Sequence, residues 1–325
     1  MTILPQSEPS TSNLRARVCL PVLFRLALPY LRGELPMWAK LYRLVGGTAD
    51  ENWRQSGLAT VRGKTHGYEL TLDLSNWSER LSWSLGRYHD LPIQQALQRV
   101  LRAGDTFVDI GANLGLVSLL ASHLVGRTGK VIACEPNPSL LERLRWHREH
   151  NDLSQIEIES KALGAKPGIA ELHEFAGHSG WGSLCANGPD GKPPTRRFEV
   201  PVITGDDLLA GLPEAAPMIL KIDVEGFEVP VLTGLQRTLA QRLPIVFLEV
   251  ADAHQRRAGY SAAELRGHLE RLGYRGYVLE MPRTLWGRRL RMRPLDTVRY
   301  SEVDVMFVPP RGPLAERVAP LLRGD

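Results

Sequence analysis

The run Thr106-Phe107-Val108-Asp109-Ile110-Gly111-Ala112-Asn113-Leu114-Gly115 constrains this chain more than any other. A short apolar stretch ends in a carboxylate, a turn with two glycines follows, and residues 116–125 then have the length and apolar content of a buried helix. Strand, glycine turn and helix form the plan of a nucleotide-binding βα unit. Glycine lets the backbone turn sharply and approach a ligand closely. The helix N-terminus offers free N–H groups and a partial positive charge, which suit a carboxylate or phosphate. A dinucleotide site asks for G-x-G-x-x-G. Here the third glycine of that pattern is missing, and Asp109 stands two residues before Gly111.

The spacing D-x-G-x-N-x-G looks like motif I of the methyltransferases that use S-adenosylmethionine. A second carboxylate agrees. Residues 130–138 read as the next strand, ending in Glu135, which lies 26 residues after Asp109. That is close to the distance at which such folds place an acid on ribose hydroxyls. The ordinary alternative is an α/β strand-turn with no ligand.

At 325 residues the chain can bury a full core, and its length allows one or two domains. A net charge of +4 is diffuse and too small to imply nucleic acid by itself. The cysteines, Cys19, Cys134 and Cys185, are an odd number without metal spacing and read as reduced thiols of a cytoplasmic protein. No internal repeat is visible.

Residues 1–14 are polar and read as disordered. The apolar run 18–31 is interrupted by Arg25 and two prolines and is too short to span a bilayer. Residues 37–45 form a second amphipathic candidate, so 15–57 is expected to be a helical extension that packs on the main domain or a partner. A peripheral membrane contact is the alternative, since apolar helices flanked by Arg and Lys can lie on an interface. A hairpin is expected over 58–75, a short helix over 78–86 and an amphipathic helix over 91–103.

Beyond Glu135, strands are expected over 156–162, 218–223, 245–250, 274–280 and 304–308, with helices between them. Residues 169–175 and 197–203 alternate and read as an inserted hairpin. Its connecting loop, with Gly177-His178-Ser179-Gly180-Trp181-Gly182-Ser183, is glycine-rich. A methyltransferase domain is thus expected over 58–310, with a short helix or tail over 311–325. The alternation implies an α/β fold, a doubly wound and mostly parallel sheet. Asp109, Glu135 and Asp223 each end a buried strand, where ligands of open α/β sheets bind. Charges there need partners, and a ligand with hydroxyls and amines supplies them.

With D-x-G-A-N-x-G, then E-P-N-P, then Lys221-Ile222-Asp223-Val224-Glu225-Gly226-Phe227-Glu228, the chain resembles the FkbM family of S-adenosylmethionine-dependent methyltransferases over about residues 68–250. The resemblance implies the class I, Rossmann-like methyltransferase sheet of seven strands with the last antiparallel. It implies O-methylation of a sugar, glycan or natural-product hydroxyl, with S-adenosylmethionine as cofactor. Asp109, Gly111, Asn113 and Gly115 would line the methionine side. Glu135 would take the ribose hydroxyls with Asn137 close by, Lys161 and Ala162 would flank the adenine, and Asp223 and Glu225 would face the transfer site. Two departures bear on the acceptor: Tyr88-His89 where the family often has Tyr-Glu, and Thr204-Gly205-Asp206 where it has Thr-Leu-Asp.

An alcohol must lose a proton on methylation, so a base is expected. The candidates are Asp223, Glu225, His254 and His178, with the Asp223/Glu225 pair first. The plain structural role for Glu225 is to cap the following helix, and for His254 a solvated loop position. A carboxylate pair could hold a divalent cation, but no further acidic cluster accompanies it in the sequence, and no metal is expected. Three other readings stand beside this one: a nucleotide-binding oxidoreductase, an RNA methyltransferase using the basic run 288–293 with Arg143, Arg145 and Arg148, and a non-catalytic adaptor. No nucleic-acid module is visible, so the expected partner is a small-molecule or glycan hydroxyl acceptor, with the oligomeric state unreadable.

Overall fold

The computed structural model describes residues 22–175, 182–185, 193–214, 216–284, 287–298 and 302–323. The expected disorder at 1–14, and His178, lie outside the described residues. The chain divides at His89–Asp90 into two compact units.

The first unit contains α1 (Val22–Arg32), α2 (Trp38–Leu44), β1 (Leu58–Arg62), β2 (Glu69–Asp73) and α3 (Trp77–Leu85). The hairpin expected over 58–75 is present, β1 pairing antiparallel with β2. It groups with the N-terminal helices and not with the large sheet, so the division falls at residue 90 and not at 58. Phe24 anchors the small core, edge-on to Tyr42 and to Trp53 at centroid distances of 5.8 and 4.7 Å. Asn76 caps α3 by accepting from Ser78 N at 3.1 Å. Arg80 of α3 is fully buried. Its guanidinium donates to Gly47 O at 2.9 Å and Leu74 O at 2.7 Å, pairs with Asp50, and lies 5.2 Å over the Trp53 ring.

The second unit runs α4 (Leu91–Val100), β3 (Thr106–Ile110), α5 (Leu116–Val125), β4 (Lys130–Cys134), α6 (Pro138–His150), β5 (Ile156–Glu159), β6 (Ala162–Leu163), β7 (Gly168–Glu174), β8 (Arg196–Ile203), α7 (Gly205–Leu209), β9 (Met218–Ile222), α8 (Glu228–Thr233), α9 (Gln236–Arg242), β10 (Ile245–Ala251), α10 (Asp252–Arg257), α11 (Ala262–Glu270), β11 (Arg275–Glu280), the short pair β12 (Arg283–Thr284) and β13 (Gly287–Arg288), β14 (Arg291–Pro294), β15 (Glu302–Val308) and α12 (Pro313–Arg323).

The central sheet has the order β14-β11-β15-β10-β9-β3-β4-β5. β5, β4, β3, β9 and β10 are mutually parallel, and β15 is antiparallel to both β10 and β11. The expected seven strands with the last antiparallel are therefore present. An eighth, β14, is added at the edge beside β11. This strand absorbs the basic run: Arg293 lies 3.6 Å from Glu280, and Arg and Pro on an exposed edge discourage further strand pairing.

Both faces of the sheet are covered, which explains why its strands read as continuous apolar runs. Val108, Ile110, Leu220, Ile222, Val246 and Leu248 form one core with Leu232, Leu265 and Leu269 of α8 and α11. The intervening Phe107, Ile219 and Phe247 are buried as well. A second small sheet, β6-β8-β7, holds the inserted hairpin around Leu172, Val200 and Val202. α12 belongs to this unit: Leu314 and Val318 are buried, and Arg317 donates to Val100 O at 3.0 Å and Asp105 Oδ1 at 3.1 Å. Among the described residues no helix is long and apolar enough to cross a membrane.

Replacing Arg80 by leucine strips the Gly47 and Leu74 carbonyls of their buried donor. The expected cost is about 3 kcal/mol, read as a lower urea midpoint and faster amide exchange across α3.

Candidate functional site

The chain leaves β3 outward to β4 and β5 and returns to β9 on the other side of β3. The carboxyl ends of β3, β4 and β9 thus meet at the switch point where α/β sheets bind ligands. Gly111 (φ 80°) packs so closely that a Cβ would overlap the Asp223 carbonyl oxygen, and a Cβ on Gly115 (φ 78°) would overlap Leu144. At Gly111 both the backbone neighbour and the left-handed φ demand glycine, and at Gly115 the left-handed φ does so while Leu144 could shift. Asn113 is also left-handed, at φ 53°, a region that asparagine tolerates.

Asp109 is fully buried. Its Oδ2 accepts from Ser118 Oγ at 2.6 Å, and its Oδ1 lies 3.5 Å from Lys221 Nζ. Lys221 is its register partner on β9 and also donates to Asp223 Oδ2 at 3.0 Å. Burial pushes the Asp109 carboxyl up, and Lys221 and Ser118 pull it back. Asp109 therefore braces the turn from beneath.

Glu135 shapes the adjoining wall. Its Oε2 accepts from Asn113 N and its Oε1 from Asn137 N, both at 2.8 Å. Burial pushes its pKa up to about 7 against those two donors. Asn137 caps α6, its Oδ1 accepting from Ser139 N at 2.9 Å. That leaves Asn137 Nδ2 and Asn113 Oδ1 buried without hydrogen-bond partners. Buried amide atoms in native sites are normally satisfied, so this donor and this acceptor, one on each side of the Glu135 carboxylate, fit a polar ligand. Lys161 follows β5, its backbone donating to Glu159 Oε1 at 3.2 Å, and Ala162 opens β6 and is buried. β5 neighbours β4, so both stand on the Glu135 side.

At the end of β9 the chain turns through Glu225 (φ 55°) and Gly226 (φ 106°). Glu228, buried at the start of α8, caps this turn, accepting from Val224 N at 3.1 Å, Gly226 N at 3.2 Å and Gln255 Nε2 at 2.5 Å. α8 has no side-chain cap, so Glu225 does not cap the helix that follows it. The Glu225 carboxylate instead lies 3.6 Å from His254 Nδ1 and 4.0 Å from Arg257. Burial, then Asp223, pushes its pKa up to about 8. His254 also hydrogen-bonds Glu249 Oε2 at 3.1 Å, which raises its pKa to about 9 despite burial. The imidazole is thus cationic at neutral pH, not a solvated loop group. Asp304, opposite Glu249 on β15, is pushed well above the usual carboxylate range by burial and by Asp90. Ser183 Oγ donates to Glu225 O at 2.9 Å, tying the inserted hairpin to the turn.

Asp109, Gly111, Asn113, Gly115, Glu135 and Asn137 thus gather around one turn, with Asp223, Glu225 and His254 at the neighbouring strand ends. Sequence reading did not assign roles to Lys221, Ser118, Glu228, Glu249 or Asp304. Lys221 stood inside the most specific motif, and a lysine within an otherwise apolar strand was its signal. Glu249 and Asp304 lie within β10 and β15, and only the pairing of those strands brings them together. Thr204 and Asp206 act as caps, accepting from Asp207 N at 3.1 Å and Thr238 N at 2.7 Å. No group of three or more His, Cys, Asp or Glu side chains among the described residues is arranged to hold a metal ion.

The sheet order and this site define a class I, Rossmann-like methyltransferase fold. The sequence model of the Methyltransferase FkbM domain matches residues 109–275, and the chain belongs to that family. It is 32% identical over 192 residues to the 31-O-demethyl-FK506 methyltransferase FkbM of Streptomyces tacrolimicus, covering 52% of this chain and 73% of that protein. It is 26% identical over 168 residues to the hexuronic acid methyltransferase AglP of Haloferax volcanii, covering 50% of this chain and 65% of that one, which is just under two thirds of its length. Among solved structures, a methyltransferase FkbM from Methylobacillus flagellatus superposes with a TM-score of 0.40 at 15% identity, over 83% of this chain and 60% of that one. The family's cofactor is S-adenosylmethionine, and the unpaired Asn113 and Asn137 atoms beside Glu135 fit it.

Lys221→Met leaves Asp109 charged and buried without its cation. A loss of about 3–5 kcal/mol is expected in urea denaturation. Adding Asp109→Asn recovers most of it, because the two changes share one interaction.

Proposed function

We propose that this chain is an S-adenosylmethionine-dependent O-methyltransferase acting on a hydroxyl of a sugar, glycan or natural product. The observation that carries the reading is the meeting of a cofactor cradle and a buried carboxyl of raised pKa, Glu225, set beside His254 at adjacent strand ends. The two relatives support the acceptor class, one being named for a hexuronic acid and the other for a hydroxyl of FK506.

When bound, S-adenosylmethionine supplies an electrophilic methyl group on a sulfonium. Glu135, with Asn113 and Asn137, would hold the ribose end, Lys161 and Ala162 would border the adenine, and the 111–115 turn would position the methionine end. Asp223 and Glu225 would face the acceptor. A base is most effective when its pKa lies near the working pH, and Glu225 meets that condition. His254 already carries a proton and lies 3.6 Å from Glu225. Its role is to orient Glu225 and favour its ionised form before the hydroxyl proton arrives, with Glu249 holding the imidazolium from the other side. Fixing acceptor and methyl donor in line supplies the larger share of the rate, about 7–11 kcal/mol in favourable cases.

The test is methyl transfer to a panel of hydroxylated acceptors, sugars and uronic acids first, read by product mass and release of S-adenosylhomocysteine. Glu225→Gln is expected to lower kcat by roughly 10²–10⁴-fold with folding intact. Because the base must be ionised, the wild-type rate should rise with pH through about 8, where Glu225 loses its proton, and the variant should lack that limb. An undiminished Glu225→Gln rate would remove Glu225 from the chemistry, and cofactor binding with no methylated hydroxyl across the panel would overturn the acceptor class.

A further inference from the structure

Large apolar side chains left in water are few in this protein, and they are concentrated. Nine are exposed among the described residues, and seven of these fall within residues 22–44. Four lie on α1: Val22, Leu23, Leu26 and Tyr30, with exposures of 71, 69, 74 and 36%. At about 100° of helix turn per residue, these four positions share one arc of about 100°. Phe24, Ala27 and Leu31 occupy the neighbouring face and are buried in the first unit's core, with Leu28 half-buried beyond them. α1 is thus apolar on two faces, and only one has a partner inside the described unit. Met37 and Leu44, at the two ends of α2, are 61 and 80% exposed. Scattered exposed leucines need no explanation, but a contiguous group marks a contact surface.

The charges name the partner. Arg25, Lys40 and Arg43 are basic side chains of these helices, and none forms an ion pair with another described residue. The acidic residue in 22–44 is Glu34, and its carboxylate is taken up by Lys64 and Arg87 within the same unit. The outward face is therefore aliphatic apart from Tyr30, with a basic border that no acid among the described residues pairs. Protein interfaces also use Arg, Met and Tyr but deplete lysine, and here Lys40 stands at the margin of a mainly Val and Leu surface. An aliphatic face with Arg and Lys at its margin suits a helix lying in the headgroup region of an anionic bilayer, where apolar burial and charge attraction act together. The 11 described residues of α1 are far too few to cross a bilayer, so the contact they make would be peripheral.

We infer that α1 and α2 form a membrane-docking surface that binds anionic phospholipid through the Val22–Leu26–Tyr30 stripe and its basic border. The inference is independent of the catalytic assignment, and its test needs no turnover. The full chain is sedimented with vesicles of phosphatidylglycerol and phosphatidylcholine, and with pure phosphatidylcholine vesicles, at low and high salt. Binding to the anionic vesicles is expected, weaker by at least tenfold on the neutral ones and reduced by salt. The double variant L23E/L26E changes two exposed positions, so its melting should match the wild type while its vesicle binding is lost. Absence of binding to anionic vesicles overturns the inference, as does binding that L23E/L26E leaves unchanged. A concentration-dependent dimer in sedimentation equilibrium that L23E/L26E abolishes, without vesicle binding, would reassign the face to a second copy of the chain. Vesicle binding that appears only after removal of residues 1–21 would reassign its cover to the chain itself.

Discussion

The ion network of Asp109, Lys221 and Asp223 is the constraint on which the rest of the site depends. Lys221 enters a buried strand between two carboxylates, one on the adjacent strand in direct register and one at the end of its own. Its charge is tolerated there because both acids are within reach and Ser118 satisfies Asp109 further. A one-residue slip of β9 against β3 would turn Lys221 to the other face of the sheet and leave Asp109 without a cation. The network therefore penalises every register but this one. With that register set, the Asp223 carbonyl lies against Gly111, and the glycine turn can only follow the observed path.

From this frame the acids acquire different roles by environment. Asp109 sits beneath the turn and braces it. Glu135 is held by two backbone N–H groups, so its shape is prepared before any ligand arrives. Glu228 is spent on the turn after β9, where it satisfies two N–H groups and a glutamine. Glu225 does not cap α8 and faces other acids and one imidazolium. Residues that look alike in the motif thus separate by environment: one braced beneath the turn, one held by two backbone N–H groups, one spent on the turn after β9 and one left beside an imidazolium.

The strand-turn-helix unit was legible because glycine spacing and a terminal acid record backbone conformation directly. Strands buried on both faces were legible as apolar runs, and the position of the antiparallel strand followed from the family resemblance. β14 was not legible as a strand, because two arginines and a proline make up three of its four residues and its place is decided by pairing with β11. Partners distant in sequence were equally hidden. Glu249 and His254 are five residues apart, but their alliance with Glu225 depends on β9 and β10 being neighbours. That Glu225 does not cap α8 was hidden too, because a left-handed turn at Glu225 and Gly226 decides where its side chain goes. The grouping of the 58–73 hairpin with the N-terminal helices turned on tertiary packing, for which a local pattern carries no signal.

The account's central claim is that the Glu135 wall, with the unpaired atoms of Asn113 and Asn137, is a preformed seat for the cofactor. Calorimetric titration of S-adenosylmethionine and S-adenosylhomocysteine into the wild-type protein, and into Glu135→Ala, tests it most directly, with NAD as a control. The account predicts micromolar binding of both by the wild type, lost in Glu135→Ala, and no binding of NAD. Well-folded wild-type protein that binds neither, or Glu135→Ala protein that binds both as tightly as the wild type, would contradict it.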